Sequence, residues 1–180
     1  SNHYGHYTLT LGLLPYMVDV PDARVVCLSS SVHRVGYWYW DPTDFNWEKR
    51  SYSSWGAYAQ SKLSNVIFAK GLSSRLANST QGKNITVLSV DPGSIKTDLQ
   101  RHSTFSVVVQ GLVPFMNKSV PQGAATTVSA ATGPEYKGRG GAFLVDCNET
   151  TPQAKALDDQ AAQDLWAESE KVTGVKFPLQ

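Results

Sequence analysis

A tyrosine and a lysine one helical turn apart, in Tyr58-Ala59-Gln60-Ser61-Lys62, are the residues of this chain whose types and spacing could do chemistry. On a helix, positions i and i+4 share a face. An ammonium beside a phenol stabilises the phenolate, drawing the phenol pKa down from about 10. A phenol so tuned can exchange a proton with a bound oxygen near neutrality. The spacing alone is a weak signal, because an ordinary helix surface pair shares it. Two further features flank it in order. The triplet Ser29-Ser30-Ser31 ends an apolar run upstream, and Asp91-Pro92-Gly93 ends another downstream.

The elements that must position these residues follow from pattern. Residues 24–30 (RVVCLSS) and 84–90 (NITVLSV) are short, β-branched and without alternation, as strands buried on both faces are. Residues 57–76 read as a long helix whose buried face carries Leu63, Val66, Ile67, Ala69 and Leu72. Residues 142–145 predict a third strand after a glycine-rich turn. Helices are predicted over 122–132, closed by Gly133-Pro134, and over 154–172, carrying Leu157, Ala161, Leu165 and Trp166. The chain opens inside an apolar helical pattern of Tyr7, Leu9, Leu11, Leu13 and Leu14, ended by Pro15 and Pro21. Strands alternating with helices predict a parallel α/β sheet with right-handed crossovers.

Size and composition agree with one such domain over residues 1–180. A chain of this length buries roughly 70% of its unfolded surface. Apolar residues make up 41% and charged residues 17%, which excludes a disordered chain. The net charge of +1 without a basic run gives no reason to expect a nucleic-acid partner. Cys27 and Cys147 lie in apolar segments far apart, so two reduced thiols are expected, with a disulfide as the alternative. Sequons at Asn78, Asn84, Asn117 and Asn148 matter only in a secretory context. No signal-peptide pattern opens the chain, so a cytoplasmic location is expected, with membrane-peripheral attachment as the alternative. The apolar stretch 105–116 is too short to span a bilayer.

Six stretches in order resemble the short-chain dehydrogenase/reductase family, in its branch of retinol dehydrogenases and WW-domain-containing oxidoreductase-like proteins. They are Asn2-His3-Tyr4-Gly5-His6-Tyr7, RVVCLSSSVHRVG, YAQSKLSNVIFAKGL, ITVLSVDPGSIKTDL, FLVDCNETTP and LWAESEKVTG. The resemblance covers essentially the whole chain. It implies the C-terminal part of a Rossmann-like, doubly wound parallel sheet of about three strands with flanking helices. It also implies an NAD(P)-dependent oxidoreductase, NADP slightly favoured over NAD, interconverting an alcohol and a carbonyl on an apolar small molecule.

Roles follow from the resemblance residue by residue. Tyr58 would exchange the proton with the substrate oxygen, and Lys62 would tune Tyr58 and hold the nicotinamide ribose. Ser30 would hold the carbonyl or alcohol oxygen, and Asn2 would carry a water linking Lys62 to solvent. Pro92 and Gly93 would pass beneath the nicotinamide, with Ile95 and Thr97 at its carboxamide and phosphate side. Residues 94–121 would form the substrate lid, and residues 8–16 and 57–76 would be the helices through which copies pair.

Part of the family pattern has no counterpart here. The strand, glycine-rich turn and helix that cradle a pyrophosphate are absent. So are the residue that selects NAD or NADP and the Asn-Asn-Ala-Gly turn, which together leave out about a third of a family member. Gly138 to Gly141 precedes a strand and does not replace them. The chain alone is therefore expected to bind a dinucleotide poorly and to expose one sheet edge, a hazard for self-association. The rival expectation is a truncated, non-catalytic relative that acts only through subunit pairing.

Blander expectations stand beside these. Ser29 and Ser31 are read as structural, and Asp91 as a turn residue. His3, His6, His33 and His102 lack the spacing of a zinc site and are read as packing residues. The aromatic connection 32–55, with Tyr37, Trp38, Tyr39, Trp40, Phe45, Trp47, Tyr52 and Trp55, is expected to pack its rings on its own helix and sheet. Lining an apolar substrate pocket is the alternative.

Overall fold

The computed structural model describes residues 2–95 and 118–179. The two β-branched runs form strands β1 (Ala23–Leu28) and β2 (Ile85–Asp91), paired in parallel with Val25 opposite Val87 and Leu28 opposite Val90. On the other side of β2 lies β3 (Phe143–Val145), also parallel. A fourth strand, β4 (Asn148–Thr150), returns antiparallel to β3 and gives the order β1-β2-β3-β4. The sequence predicts three strands because β4 reads Asn-Glu-Thr and is exposed throughout, so it carries no apolar signal. The turn before it places Asp146 (φ 51°) and Cys147 (φ 58°) in the left-handed region, the geometry a two-residue hairpin demands.

Alternate side chains of the sheet face opposite ways. Val25, Cys27, Val87 and Phe143 pack into the larger core, and Val26, Leu88, Val90 and Leu144 into a smaller one with Ala130 and Tyr136. Helices therefore cover both faces, as in a doubly wound fold. The large core is built on helix α2 (Ser54–Asn78), capped by the Ser53 hydroxyl accepting from Gly56 N–H. Helix α1 (Tyr4–Leu13) buries Tyr7, Leu11 and, just past its end, Leu14, but leaves Leu9 and Leu13 exposed. Helix α3 (Val120–Thr132) lies over the other face and opens with a capping box of Ser119 and Gln122. It takes Val120 and Pro121 out of the loop expected over 94–121. Residues 96–117 of that expected lid lie outside the described residues.

The single helix expected over 154–172 is divided. A 3₁₀ turn, Ala154–Leu157, precedes helix α4 (Asp159–Thr173). Asp158 separates them because its carboxylate caps the Gln160 and Ala161 N–H groups. Ala161, Leu165 and Trp166 are buried as expected, while Leu157 is 47% exposed.

The aromatic connection is more regular than its sequence suggests. Ser31–Tyr39 is a 3₁₀ helix lying on α2, with Gly36 so close that a Cβ there would sit 2.5 Å from the Ala59 carbonyl oxygen. Tyr39 and Trp47 close over Gly56, Trp40 meets Phe45 edge-on at 4.8 Å, and the Arg50 guanidinium stacks 3.9 Å from the Trp47 ring. The Asp44 carboxylate ties the segment's end by accepting from the Glu48, Lys49 and Arg50 N–H groups. These rings pack as expected. Tyr37, Trp38, Tyr52 and Trp55 stay exposed.

Candidate active site

Helix α2 carries Tyr58 and Lys62 on one face, with Lys62 Nζ 5.5 Å from the centre of the Tyr58 ring. Lys62 Nζ donates to the carbonyl of Leu28, the last residue of β1, at 3.4 Å. That contact places the ammonium two residues from Ser30 in the chain. Burial pushes the Lys62 pKa below the ordinary lysine value, and the Asp91 carboxylate pulls the other way.

The serine triplet is sewn between α2 and β2. Ser29 is buried; its hydroxyl donates to the Lys62 carbonyl at 2.8 Å and its N–H to the Val90 carbonyl at 2.7 Å. Ser29 is thus structural, as expected. Ser30 caps the 3₁₀ helix, its Oγ accepting from Val32 N–H at 3.4 Å. The Ser30 carbonyl accepts from His33 Nδ1–H at 2.7 Å, and His33 Nε2 accepts from Gln153 N–H at 3.2 Å. His33 is fully buried against Phe143, and desolvation lowers its pKa, so the neutral ring holds the Ser30 turn in place.

Asn2 reaches the same helix face: its side chain donates to Ser61 Oγ at 3.4 Å, and Ser61 donates to the Tyr58 carbonyl at 2.7 Å. Beyond the end of β2, Asp91 accepts from Gly93 N–H at 2.8 Å, the turn role expected of it. Gly93 has φ 78°. The Lys118 stem fills the space its missing side chain leaves, since a Cβ there would come within 2.7 Å of Lys118 Nζ. That ammonium donates to the Pro92 carbonyl at 3.2 Å and pairs with Asp146. Ile95 forms an isolated parallel bridge with Lys118. Glycine at 93 is therefore required by the chain's own packing as well as by its backbone angle.

The structure thus gathers Asn2, Ser30, Tyr58 and Lys62 at the carboxyl end of β1, with Pro92 and Gly93 past the end of adjacent β2. Open α/β sheets bind ligands at this end. Thr97 lies outside the described residues. Three residues near this end carry no motif signal in the sequence: His33, Lys118 and Asn65. Asn65 follows Lys62 by three residues and so lies on the same side of α2, but no sequence feature shows that its side chain is buried. Among the described residues no group of ligands could hold a metal ion. Cys27 and Cys147 are both free thiols, and burial pushes the Cys27 pKa up to about 12.

No family model matches the chain. Short-chain dehydrogenase TIC 32 B, chloroplastic, from Brassica napus is 40% identical over 172 residues, covering 92% of this chain and 53% of that protein. Human retinol dehydrogenase 13 is 36% identical over 183 residues, covering 98% of this chain and 54% of that protein. The chain belongs to the short-chain dehydrogenase/reductase family. A solved structure of an uncharacterised protein from Mycobacterium Paratuberculosis superposes with a TM-score of 0.70 at 31% identity, covering 99% of this chain and 59% of that one. The chain spans about half the length of the curated relatives it matches, a smaller share of a short-chain dehydrogenase than the two-thirds implied by the sequence pattern.

Proposed function

We propose that this chain carries the catalytic residues of an NAD(P)-dependent oxidoreductase that interconverts an alcohol and a carbonyl on an apolar small molecule. The observation that carries the reading is the position of Lys62. Its ammonium lies between the Tyr58 ring and the Leu28 carbonyl, at the strand end that leads into Ser30.

The residues present fit the nicotinamide–ribose end of a dinucleotide. Lys62 offers a partly desolvated ammonium to ribose hydroxyls, and the Pro92-Gly93 turn offers a flat backbone surface beside it. Among the described residues no helix opens on a glycine-rich turn: α1, α2, α3 and α4 follow His3, Ser53, Ser119 and Asp158. The pyrophosphate end therefore has no counterpart among them. When bound, the cofactor supplies or accepts the hydride. Tyr58 gives a proton to the substrate oxygen during reduction and takes it back during oxidation. Lys62 places its ammonium beside the Tyr58 ring. Ser30 donates its hydroxyl to the same oxygen, with Val32 N–H already on its Oγ and His33 fixing its backbone. Asn2 holds a water that links Lys62 to solvent.

The exposed ring of Trp55, 6.2 Å from Tyr58, supplies apolar surface near this site and supports a lipophilic substrate. The exposed Leu9 and Leu13 on α1 support pairing of copies through the helices. Among the described residues no helix is long and apolar enough to cross a membrane. The cytoplasmic expectation rests on the sequence pattern alone, since the Brassica relative is named as chloroplastic.

A second reading, a non-catalytic relative acting only through subunit pairing, is favoured by one observation. Among the described residues β1 has a strand neighbour on one side only. Titrating the chain with NADPH and NADH by nicotinamide fluorescence separates the two readings. Saturable binding that Lys62→Ala abolishes supports the oxidoreductase. No binding up to millimolar cofactor leaves this chain without catalytic competence of its own.

A further inference from the structure

Three polar side chains lie buried side by side where α1, α2 and α4 meet: Asn65, His3 and Ser169. Their neighbours are apolar, including Tyr7, Phe68 and Trp166. Burying such groups is costly unless each finds a hydrogen-bond partner, so the partners show what the cluster is for. Both amide protons of Asn65 go to backbone carbonyls outside its own helix: Leu28 at 2.9 Å and Asn2 at 3.2 Å. The Leu28 carbonyl is the one that also accepts from Lys62 Nζ. Asn2 is the residue whose side chain reaches Ser61 on the same face.

With its amide nitrogen committed to two carbonyls, Asn65 can orient in only one way. Its Oδ1 faces His3 Nδ1 at 3.4 Å, which places the His3 proton on Nδ1. His3 Nε2 then accepts from the Ser169 hydroxyl at 2.8 Å. Ser169 has one proton for two acceptors, since the Leu165 carbonyl lies 2.6 Å from the same oxygen. The far end of the chain of bonds is thus shared, and the end at Asn65 is fully specified.

From this geometry we infer that Asn65 is a positioning residue for Lys62, backed by His3 and Ser169. It clamps the carbonyl on which the lysine ammonium rests and the backbone of the neighbouring Asn2, fixing where Lys62 points and the field it feels. The inference rests on the oxidoreductase reading for the importance of Lys62, but the arrangement is testable without cofactor. Asn65 N–H groups offset the negative ends of the Leu28 and Asn2 carbonyls. Removing them leaves more negative potential at the ammonium and favours its charged form. The other titratable groups acting on or near Lys62 are Asp91 from β2, His6 from α1 and Tyr58 from its own helix, and none is altered by changing Asn65.

The test is the titration of Lys62, read in the full chain by NMR after ¹³C-dimethylation of lysines, with Lys62→Arg to assign the resonance. In the near-isosteric Asn65→Leu variant the midpoint is expected to rise by about half a pH unit or more, while circular dichroism shows the fold retained. A purely structural asparagine would lower the unfolding temperature and leave the Lys62 midpoint in place, which would overturn the inference. If Asn65→Leu does not fold, the unaltered chain still decides. The side-chain amide resonances of Asn65 are expected to follow the Lys62 titration midpoint, and amide resonances blind to it reject the inference. Neither readout involves a dinucleotide. The inference can therefore fail while cofactor binding stands, and cofactor binding can fail while the inference stands.

Discussion

The two halves of helix α2 are built on different principles. From Gln60 to Asn65 the buried positions include Gln60, Ser64 and Asn65, each tied by hydrogen bonds to other segments or to the helix backbone. From Val66 to Leu76 the buried side chains are Val66, Ile67, Phe68, Ala69, Leu72 and Leu76, all apolar. The apolar half contributes most of the stability, because burial is strong and indifferent to direction. The polar half contributes direction, because a hydrogen bond weakens steeply when its angle or length is wrong. Tyr58 and Lys62, the residues of this helix offered for chemistry, sit just before and within the polar half. The helix thus separates holding the fold together from aiming a lysine.

The largest effect should come from breaking the apolar half. Leu72 is fully buried in the larger core. Leu72→Ala is expected to cost about 2–5 kcal/mol through lost burial and the cavity left behind, measured by urea unfolding. The same variant should leave the Lys62 titration midpoint where it was. A shifted midpoint in a folded Leu72→Ala protein would mean that packing, not hydrogen bonding, aims the lysine, and the contrast between the halves would collapse.

A smaller effect follows from pH, and it acts on the polar half. Burial lowers the His3 pKa from 6.5 to about 4, with the Asn65 hydrogen bond pulling the other way. A group whose folded pKa is depressed stabilises the fold fully above its unfolded pKa and loses that contribution as pH falls toward the folded value. Stability should therefore decline as pH drops from about 6.5 toward 4, by on the order of 3 kcal/mol from His3. His33, also lowered by burial, acts in the same direction. Urea midpoints at pH 7 and 4.5 test this, with His3→Gln as the comparison. A decline as steep in His3→Gln as in the unaltered chain would show that His3 is not its source.

The contrast also explains what could be read from sequence. The buried face of α2 was legible because it repeats at helical spacing: Leu63 within the polar half, and Val66, Ile67, Ala69 and Leu72 in the apolar half, are buried as the pattern requires. Strands β1 and β2 were legible because both their faces are covered, which writes an unbroken apolar run. Strand β4 was not, since it is held by backbone bonds to β3 and exposes every side chain. The Tyr58–Lys62 pair was legible as a spacing within one helix. The contacts that give it context join residues far apart in sequence: Lys62 with Leu28, Asn65 with Asn2, and Lys118 with Pro92 and Asp146. No local pattern records such contacts. Asn65 and Ser169 in particular sit at core positions where helical periodicity leads one to expect an apolar residue, and only the fold shows why they are polar.

The smallest effect is the most discriminating, because it compares two hydroxyls that serve the same helix turn. Ser29 is buried and donates to the Lys62 carbonyl at 2.8 Å, joining the end of β1 to α2. Ser61 is half-buried and donates to the Tyr58 carbonyl within its own helix at 2.7 Å, a bond that competes with the helix, and it accepts from another segment only a long, exposed bond from the Asn2 side chain at 3.4 Å. Ser29→Ala leaves a buried carbonyl short of a donor and should cost about 1–2 kcal/mol. Ser61→Ala removes a local bond and the long, exposed bond from Asn2, both of which water can replace, and gains helix propensity, so its cost should fall within about 0.5 kcal/mol of zero. The two variants are compared side by side by urea unfolding at pH 7. If polar groups in this half act by joining segments, only Ser29→Ala is destabilised. Equal losses would show that local and long-range hydroxyl bonds count alike here, and direction would no longer distinguish the site half of α2 from the core half.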